Sequence, residues 1–308
     1  MIKKTKEILL KTGRSLQGEG DKNNGYEWTR NGHSFRCLKP LVKKNTFLNK
    51  SGLVSFSAEL QSGKKVKIYE CVSAEQAKFI REVTSSPEMS KHFPTVYFLE
   101  NCFLVCEWVE GEALTWKKIF GDENILSQLA QMQVDFHSGQ CMSEMNNVYL
   151  HFLRNRFFKY KGVLDFDEFY TKVSDFFNGS EGDDPFGISH PDITYRNLIL
   201  TDKGNLVSID NETLGYNNYF LYDLFETFNS VKQPLYPAFF NRYLKKYRDL
   251  GGVLDDLFQQ PGKYEAIYYL RHVGSKLQRG DYTKARDLSR QYLEKETKID
   301  FYKYLSAM

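Results

Sequence analysis

Two hydrophobic rhythms divide this chain. Between residues 34 and 109 the chain reads mainly as strands, and at 52–60 and 65–72 apolar side chains recur at about every second position, the spacing of half-buried strands. Strand character is read at 34–43, 52–60, 65–72, 94–99 and 102–109. Gln61-Ser62-Gly63-Lys64 is a hairpin turn between the second and third of these. Residues 73–83 interrupt the alternation with helical spacing. Ser73 is the N-cap and Gln76, three residues on, completes a capping box; the helix ends near Ser86-Pro87. Beyond residue 110 the spacing is predominantly helical. Stripes appear at 125–137, at 148–177 (including 150–161), at 239–247, at 264–273 and at 283–305. The one β signal there is Leu198-Ile199-Leu200 and Leu206-Val207-Ser208-Ile209, flanking the polar connection 201–205, which contains Gly204. Residues 13–26 and 178–185 read as loops.

Composition narrows the picture. A chain of 308 residues is long enough to bury a sizeable core. Aromatic content of 15%, with 24 Phe and 20 Tyr, implies an aromatic-rich core. A net charge of +3 is too small to argue for nucleic acid as a partner. Cys37, Cys71, Cys102, Cys106 and Cys141 are scattered, with no C-x-x-C pair, so neither a zinc site nor a disulfide framework is indicated and a reducing compartment fits. The basic first residues carry apolar runs too short for a signal peptide, and no segment has the apolar length of a membrane span. The chain reads as cytoplasmic.

The candidate chemistry lies in residues 189–212. His190, Asp192 and Asn197 occupy one turn, and Asp210 follows the hairpin. A hairpin brings the turn before its first strand close to the end of its second, so Asp192, Asn197 and Asp210 are expected to converge. One Asp can accept a proton from a substrate hydroxyl. The Asn and the other Asp are hard oxygen ligands that suit Mg2+. This is a layout for phosphoryl transfer from ATP.

The stretch H-x-D-x-x-x-x-N, a hairpin, then Ile209-Asp210-Asn211-Glu212 resembles the catalytic segment of the protein-kinase-like superfamily. Gly215-Tyr216-Asn217-Asn218 and Tyr222-Asp223-Leu224 continue the likeness, which is nearest to the aminoglycoside phosphotransferase and choline/ethanolamine kinase branch. The resemblance implies a two-lobed α+β kinase-like fold. Residues 1–110, with an N-terminal extension at 1–33, would form a small antiparallel-sheet lobe with one main helix that binds nucleotide. Residues 111–308 would form a larger, mostly helical lobe that binds the acceptor. By the same resemblance Asp192 is the base, Asn197 and Asp210 hold Mg2+, His190 braces the turn, Glu212 supports the metal shell and Asp223 ties the loop down.

In the first lobe the resemblance asks for a strand Lys on the ATP phosphates and a helical Glu that orients it. Lys67 is the match, with Lys65 on the same face as the alternative. Glu82, midway along its helix, is preferred to Glu75 at the first turn, where a carboxylate also favours the helix dipole. Glu107, Trp108 and Val109 resemble the hinge that receives adenine. Two departures stand out. Residues 43–52, where relatives carry a glycine-rich loop, contain one Gly and three Lys, and Asn211 occupies a position commonly held by an aromatic residue.

The function implied is ATP- and Mg2+-dependent transfer of the terminal phosphate to a hydroxyl of a small molecule: an amino-alcohol, an aminoglycoside or another sugar-like acceptor. Choline kinases place tryptophans in the last helices, whereas this chain has Tyr268, Tyr269 and His272 there and no Trp after Trp116. The alternatives are a pseudokinase acting as a binding or scaffold module, motivated by the two departures, and a protein Ser/Thr kinase.

Overall fold

The structure, a computed structural model, describes residues 28–30, 33–41, 53–139, 167–178, 185–227 and 236–294. The chain divides into two compact units, 1–111 and 112–308.

In the first unit β1 (Trp28–Arg30), β2 (His33–Pro40), β3 (Ser55–Leu60), β4 (Lys65–Glu70), β5 (Val96–Glu100) and β6 (Phe103–Glu107) form one antiparallel sheet in the order β1-β2-β3-β4-β6-β5. Among β3, β4 and β6, burial alternates only at the start of β4, where Val66 and Ile68 are buried on either side of half-buried Lys67; β3 buries Ser55 to Ala58 in succession and β6 buries Phe103 to Cys106. Phe56, Ala58, Val66, Ile68, Phe103 and Val105 are essentially inaccessible and pack with Phe35 and Val54 as one cluster. The far end of β4 departs from alternation, because Tyr69 and Glu70 are both buried. Glu70 is tolerated there because its Oε2 accepts the Val54 backbone N–H at 3.1 Å. Helix α1 (Ala74–Ser85) is capped as expected, Ser73 Oγ accepting from Gln76 N at 3.1 Å. It buries Ala77, Phe79, Ile80 and Val83 and packs on β5 and β6.

The second unit begins with the short strand β7 (Glu112–Ala113) and helix α2 (Trp116–Gly121), followed by the long α3 (Glu123–Ser138). Asp122 caps α3, its Oδ1 accepting from Asn124 N and Ile125 N. Then come α4 (Asp167–Asn178), β8 (Gly187–Ser189), β9 (Leu198–Leu200), β10 (Leu206–Ser208), β11 (Gly215–Asn217), α5 (Tyr222–Glu226), α6 (Tyr236–Asp249), α7 (Asp255–Gln259), α8 (Pro261–Gln278) and α9 (Tyr282–Leu293). The expected hairpin is present: β9 and β10 pair with Leu198 opposite Ser208, and β7 adds to the outer side of β9. β8 pairs with β11. α3 packs against α6 and β8, and α8 against α4, α5, α7 and α9.

The expected α+β class is borne out. The short elements β7, β8, β11, α2 and α7 went unread because two to six residues are too few to display a period. The expected helical stretch 150–161, the whole of 43–52, the loop 13–26, most of the loop 178–185 and the end of the 283–305 stripe lie outside the described residues. No helix among the described residues is long and apolar enough to cross a membrane.

Candidate active site

The turn that follows β8 is closed by its own backbone. Ile193 N donates to His190 O, Thr194 N to Asp192 O and Asn197 N to Thr194 O, each at 2.8 Å. The Asn197 side chain reaches back across it, Nδ2 donating to Asp192 O at 2.8 Å and to Asp192 Oδ2 at 3.3 Å. The β9–β10 register then carries Ile209 beside Asn197, whose carbonyl accepts Ile209 N at 2.8 Å. Asp210 is the next residue, so hairpin register brings it to the end of the sheet where Asn197 sits.

Asp210 is exposed and has a left-handed backbone, φ 61° and ψ 49°. Asp and Asn tolerate that conformation better than other non-glycine residues. It turns the chain abruptly out of β10 into the 3-10 turn Asn211–Thr213.

Asp223, fully buried on α5, holds the start of the turn. Its Oδ1 accepts from Ser189 Oγ at 3.0 Å, and its Oδ2 accepts the His190 backbone N–H. His137 Nε2 lies 3.6 Å from the same Oδ2, and His137 Nδ1 meets Tyr247 Oη at 2.9 Å. Burial, with the Asp223 charge in second place, pushes the Tyr247 phenol well above its ordinary range.

His190 is fully buried, with Nε2 3.1 Å from Asn211 Oδ1. Asn211 Oδ1 also receives Ser208 Oγ at 3.5 Å. The polar residue at the usually aromatic position therefore has a hydrogen-bonding role, fixing the imidazole ring through a neutral acceptor. His190 Nδ1 has no hydrogen-bond partner among the described residues.

Two site residues were missed by sequence reasoning. Arg271 on α8 donates from Nη1 to Pro191 O at 2.7 Å and from Nη2 to Asp192 Oδ1 at 2.9 Å. Its Nη2 also lies 2.8 Å from Oε1 of Glu226, which is buried. Glu226 Oε2 accepts from Tyr222 Oη at 2.9 Å. No local signal marks a residue 79 positions from its partner. Arg196, by contrast, is exposed, and its guanidinium lies 5.5 Å from the Tyr195 ring centroid.

In the first unit, Lys67 is half-buried on β4 with Nζ 4.9 Å from the Tyr69 ring centroid. Lys65 is engaged elsewhere, its Nζ 3.8 Å from the Trp108 ring centroid and 3.6 Å from Glu110 Oε1. Glu82 and Glu75 lie on α1, and both are exposed. The Glu75 carboxyl is held below its ordinary range by its own backbone N–H and then by the Ser73 hydroxyl, so it serves the helix start. Glu107 exchanges bonds with Thr95: its N donates to Thr95 O at 2.8 Å, and its Oε2 accepts Thr95 N at 3.3 Å. Trp108 N donates to Lys65 O at 3.4 Å, and Trp108 and Val109 are half-buried. Gly111, at φ 152°, ends the segment in a conformation that favours glycine.

Among the described residues no group of three or more His, Cys, Asp or Glu side chains gathers as a metal cage. The donor set of the second unit suits Mg2+ in a different way. Asn197 has committed its amide nitrogen to Asp192, so its carbonyl oxygen is the end left for a cation, and Asp210 supplies a carboxylate. Mg2+ is typically held by one or two protein oxygens, with phosphate and water completing its shell.

No protein-family model matches the sequence, and no curated protein sequence matches it. Solved structures do. The amicoumacin kinase hAmiN in complex with AMP-PNP, Ca2+ and Ami aligns over 98% of this chain and 99% of its own, with TM-score 0.61 and 11% identity. A choline/ethanolamine kinase family protein from Mesorhizobium loti aligns over 97% and 98%, with TM-score 0.57 and 12% identity. Choline kinase LicA from Streptococcus pneumoniae aligns over 94% and 99%, with TM-score 0.56 and 14% identity. At these identities the likeness establishes the fold. It is the two-lobed kinase-like fold expected from the sequence, in the form shared with these small-molecule kinases.

Proposed function

We propose that this protein is an ATP- and Mg2+-dependent phosphotransferase that moves the terminal phosphate to a hydroxyl of a small molecule. The observation that carries this reading is the union of Asp192, Asn197 and Asp210 by one turn and one hairpin: Asn197 bonds the Asp192 side chain, and its carbonyl receives the residue before Asp210. Fold alone does not name a reaction, so these groups have to carry it.

Asp192 accepts a hydrogen bond from the acceptor hydroxyl and directs its oxygen at the terminal phosphorus. As the new O–P bond forms, the bond to the bridging oxygen breaks, ADP leaves, and the hydroxyl proton departs through Asp192. Asn197 and Asp210 would hold Mg2+, which when bound offsets charge on the phosphates. Lys67, with Glu82 as its orienting partner, holds phosphate oxygens, and the 107–109 backbone receives the adenine edge. His190 keeps the turn in shape. The acceptor class is an amino-alcohol or a sugar-like molecule such as an aminoglycoside, and the protein works in the cytoplasm. Support for these finer points comes from the sequence resemblance and from the small-molecule kinases that share the fold, one of which holds AMP-PNP and Ca2+.

The test is acceptor-dependent ADP release with Mg-ATP across choline, ethanolamine, aminoglycosides and sugars, with Asp192→Ala and Asp210→Ala alongside. Turnover lost in both variants supports the reading. A wild-type protein that fails to bind Mg-ATP in a thermal-shift titration overturns it.

A further inference from the structure

We propose that Arg271 is the positioning residue for Asp192, an inference that rests on the phosphotransferase reading. Four consecutive residues of the turn, Ser189 to Asp192, are held from α5 by two routes. Asp223 holds the first two directly, through Ser189 Oγ and the His190 N–H. Glu226, three residues on and so on the same face of the helix, holds the other two through Arg271. Its carboxylate is fixed by Tyr222 Oη at 2.9 Å and lies 2.8 Å from Arg271 Nη2. The guanidinium then passes the order on, binding Pro191 O at 2.7 Å and Asp192 Oδ1 at 2.9 Å.

The geometry distinguishes this from an ordinary ion pair. The guanidinium grips a backbone carbonyl and the next residue's carboxylate together, so it sets the direction of the Asp192 side chain relative to its own turn. Asn197 Nδ2 completes the frame on Oδ2. Each carboxylate oxygen carries two lone pairs and has one of these fixed donors, and the Asp192 side chain is still 41% exposed. A place therefore remains for an acceptor hydroxyl, on a carboxylate whose orientation is settled in advance. Such orientation lowers a barrier where a floppy carboxylate would not. Holding three groups in this way requires a rigid planar fork. A lysine carries the same charge but cannot reach Pro191 O, Asp192 and Glu226 at once.

Removing the charge outright would take the cation from the buried Glu226, so the test begins with Arg271→Lys, which keeps a cation opposite it. The readouts are kcat and KM for ATP and acceptor, the melting temperature, and a double-mutant cycle with Asp192→Asn. The expected result is a kcat lowered by about tenfold or more. The KM for ATP and the melting temperature stay close to wild type, and Arg271→Lys adds no further loss once Asp192 is Asn. A kcat within about twofold of wild type overturns the inference and leaves the kinase reading standing. So does a loss that multiplies with that of Asp192→Asn, because Arg271 then acts elsewhere. A wild-type protein with neither Mg-ATP binding nor turnover removes the kinase reading, and this inference with it.

Discussion

Replacing Asp223 should loosen the turn without touching any group proposed to meet substrate. Its carboxylate is fully buried and accepts two hydrogen bonds, from Ser189 Oγ and from the His190 backbone N–H. Hydrogen bonds to a charged group contribute about 1.5–3 kcal/mol each, so Asp223→Ala should cost about 3–6 kcal/mol, with the His190 N–H left buried and unpaired. Asp223→Asn should cost much less. The Ser189 hydroxyl can rotate to accept from the new amide NH2, leaving the amide oxygen for the His190 N–H, so only the charge is lost, about 1–2 kcal/mol. Urea unfolding of the three proteins measures the difference, and amide hydrogen exchange at His190 localises it. Exchange should speed up strongly in Asp223→Ala and modestly in Asp223→Asn. An Asp223→Ala protein within about 1 kcal/mol of wild type, or two variants of equal cost, would refute this assignment.

Three further outcomes are expected. Gly187→Ala would place a Cβ 2.7 Å from His137 O and 2.9 Å from the Phe220 ring, so it should destabilise by about 1–3 kcal/mol in urea melts, and a neutral result would mean that the α3–β8 contact is loose. Asn211→Leu removes the acceptor of His190 Nε2 and should cost about 1–3 kcal/mol; the His190 ring proton should exchange faster in NMR spectra, whereas an unchanged rate would show another acceptor at work. His272 is pushed down to about 3 by burial and then by Arg271, Lys276 and Arg279, whereas its ordinary value is 6.5. Below 6.5 the unfolded chain therefore binds a proton that the folded one refuses. Stability from this group is complete above 6.5 and lost as pH falls toward 3, by at most about 1 kcal/mol over the first pH unit, since the residue keeps partial exposure. Comparing wild type with His272→Asn across that range isolates the contribution, and parallel curves would contradict it.

What the sequence determined by itself follows from local chemistry. Alternating apolar residues marked β3 and β4, and Ser73 with Gln76 marked the start of α1 because helix caps are local. The approach of Asp210 to Asn197 was legible because both belong to one short hairpin, whose register depends only on its own residues. Where contacts join distant segments, the pattern was silent. Asn211 stands in the sequence only as a departure from the usual aromatic residue, and only the folded chain shows its oxygen on the His190 ring, 21 residues away in sequence. The choice between Lys65 and Lys67 could not be made from spacing, since both share a face. In the structure Lys65 lies against Trp108 and Glu110, while Lys67 lies half-buried near Tyr69. Arg271 is the clearest case. Helical spacing placed it on α8 among tyrosines, but its meeting with Asp192 and Glu226 depends on how α8 packs against α5 and the turn. Long-range packing of this kind leaves no period in the sequence, because it selects a charge and a shape at one position rather than a pattern along the chain.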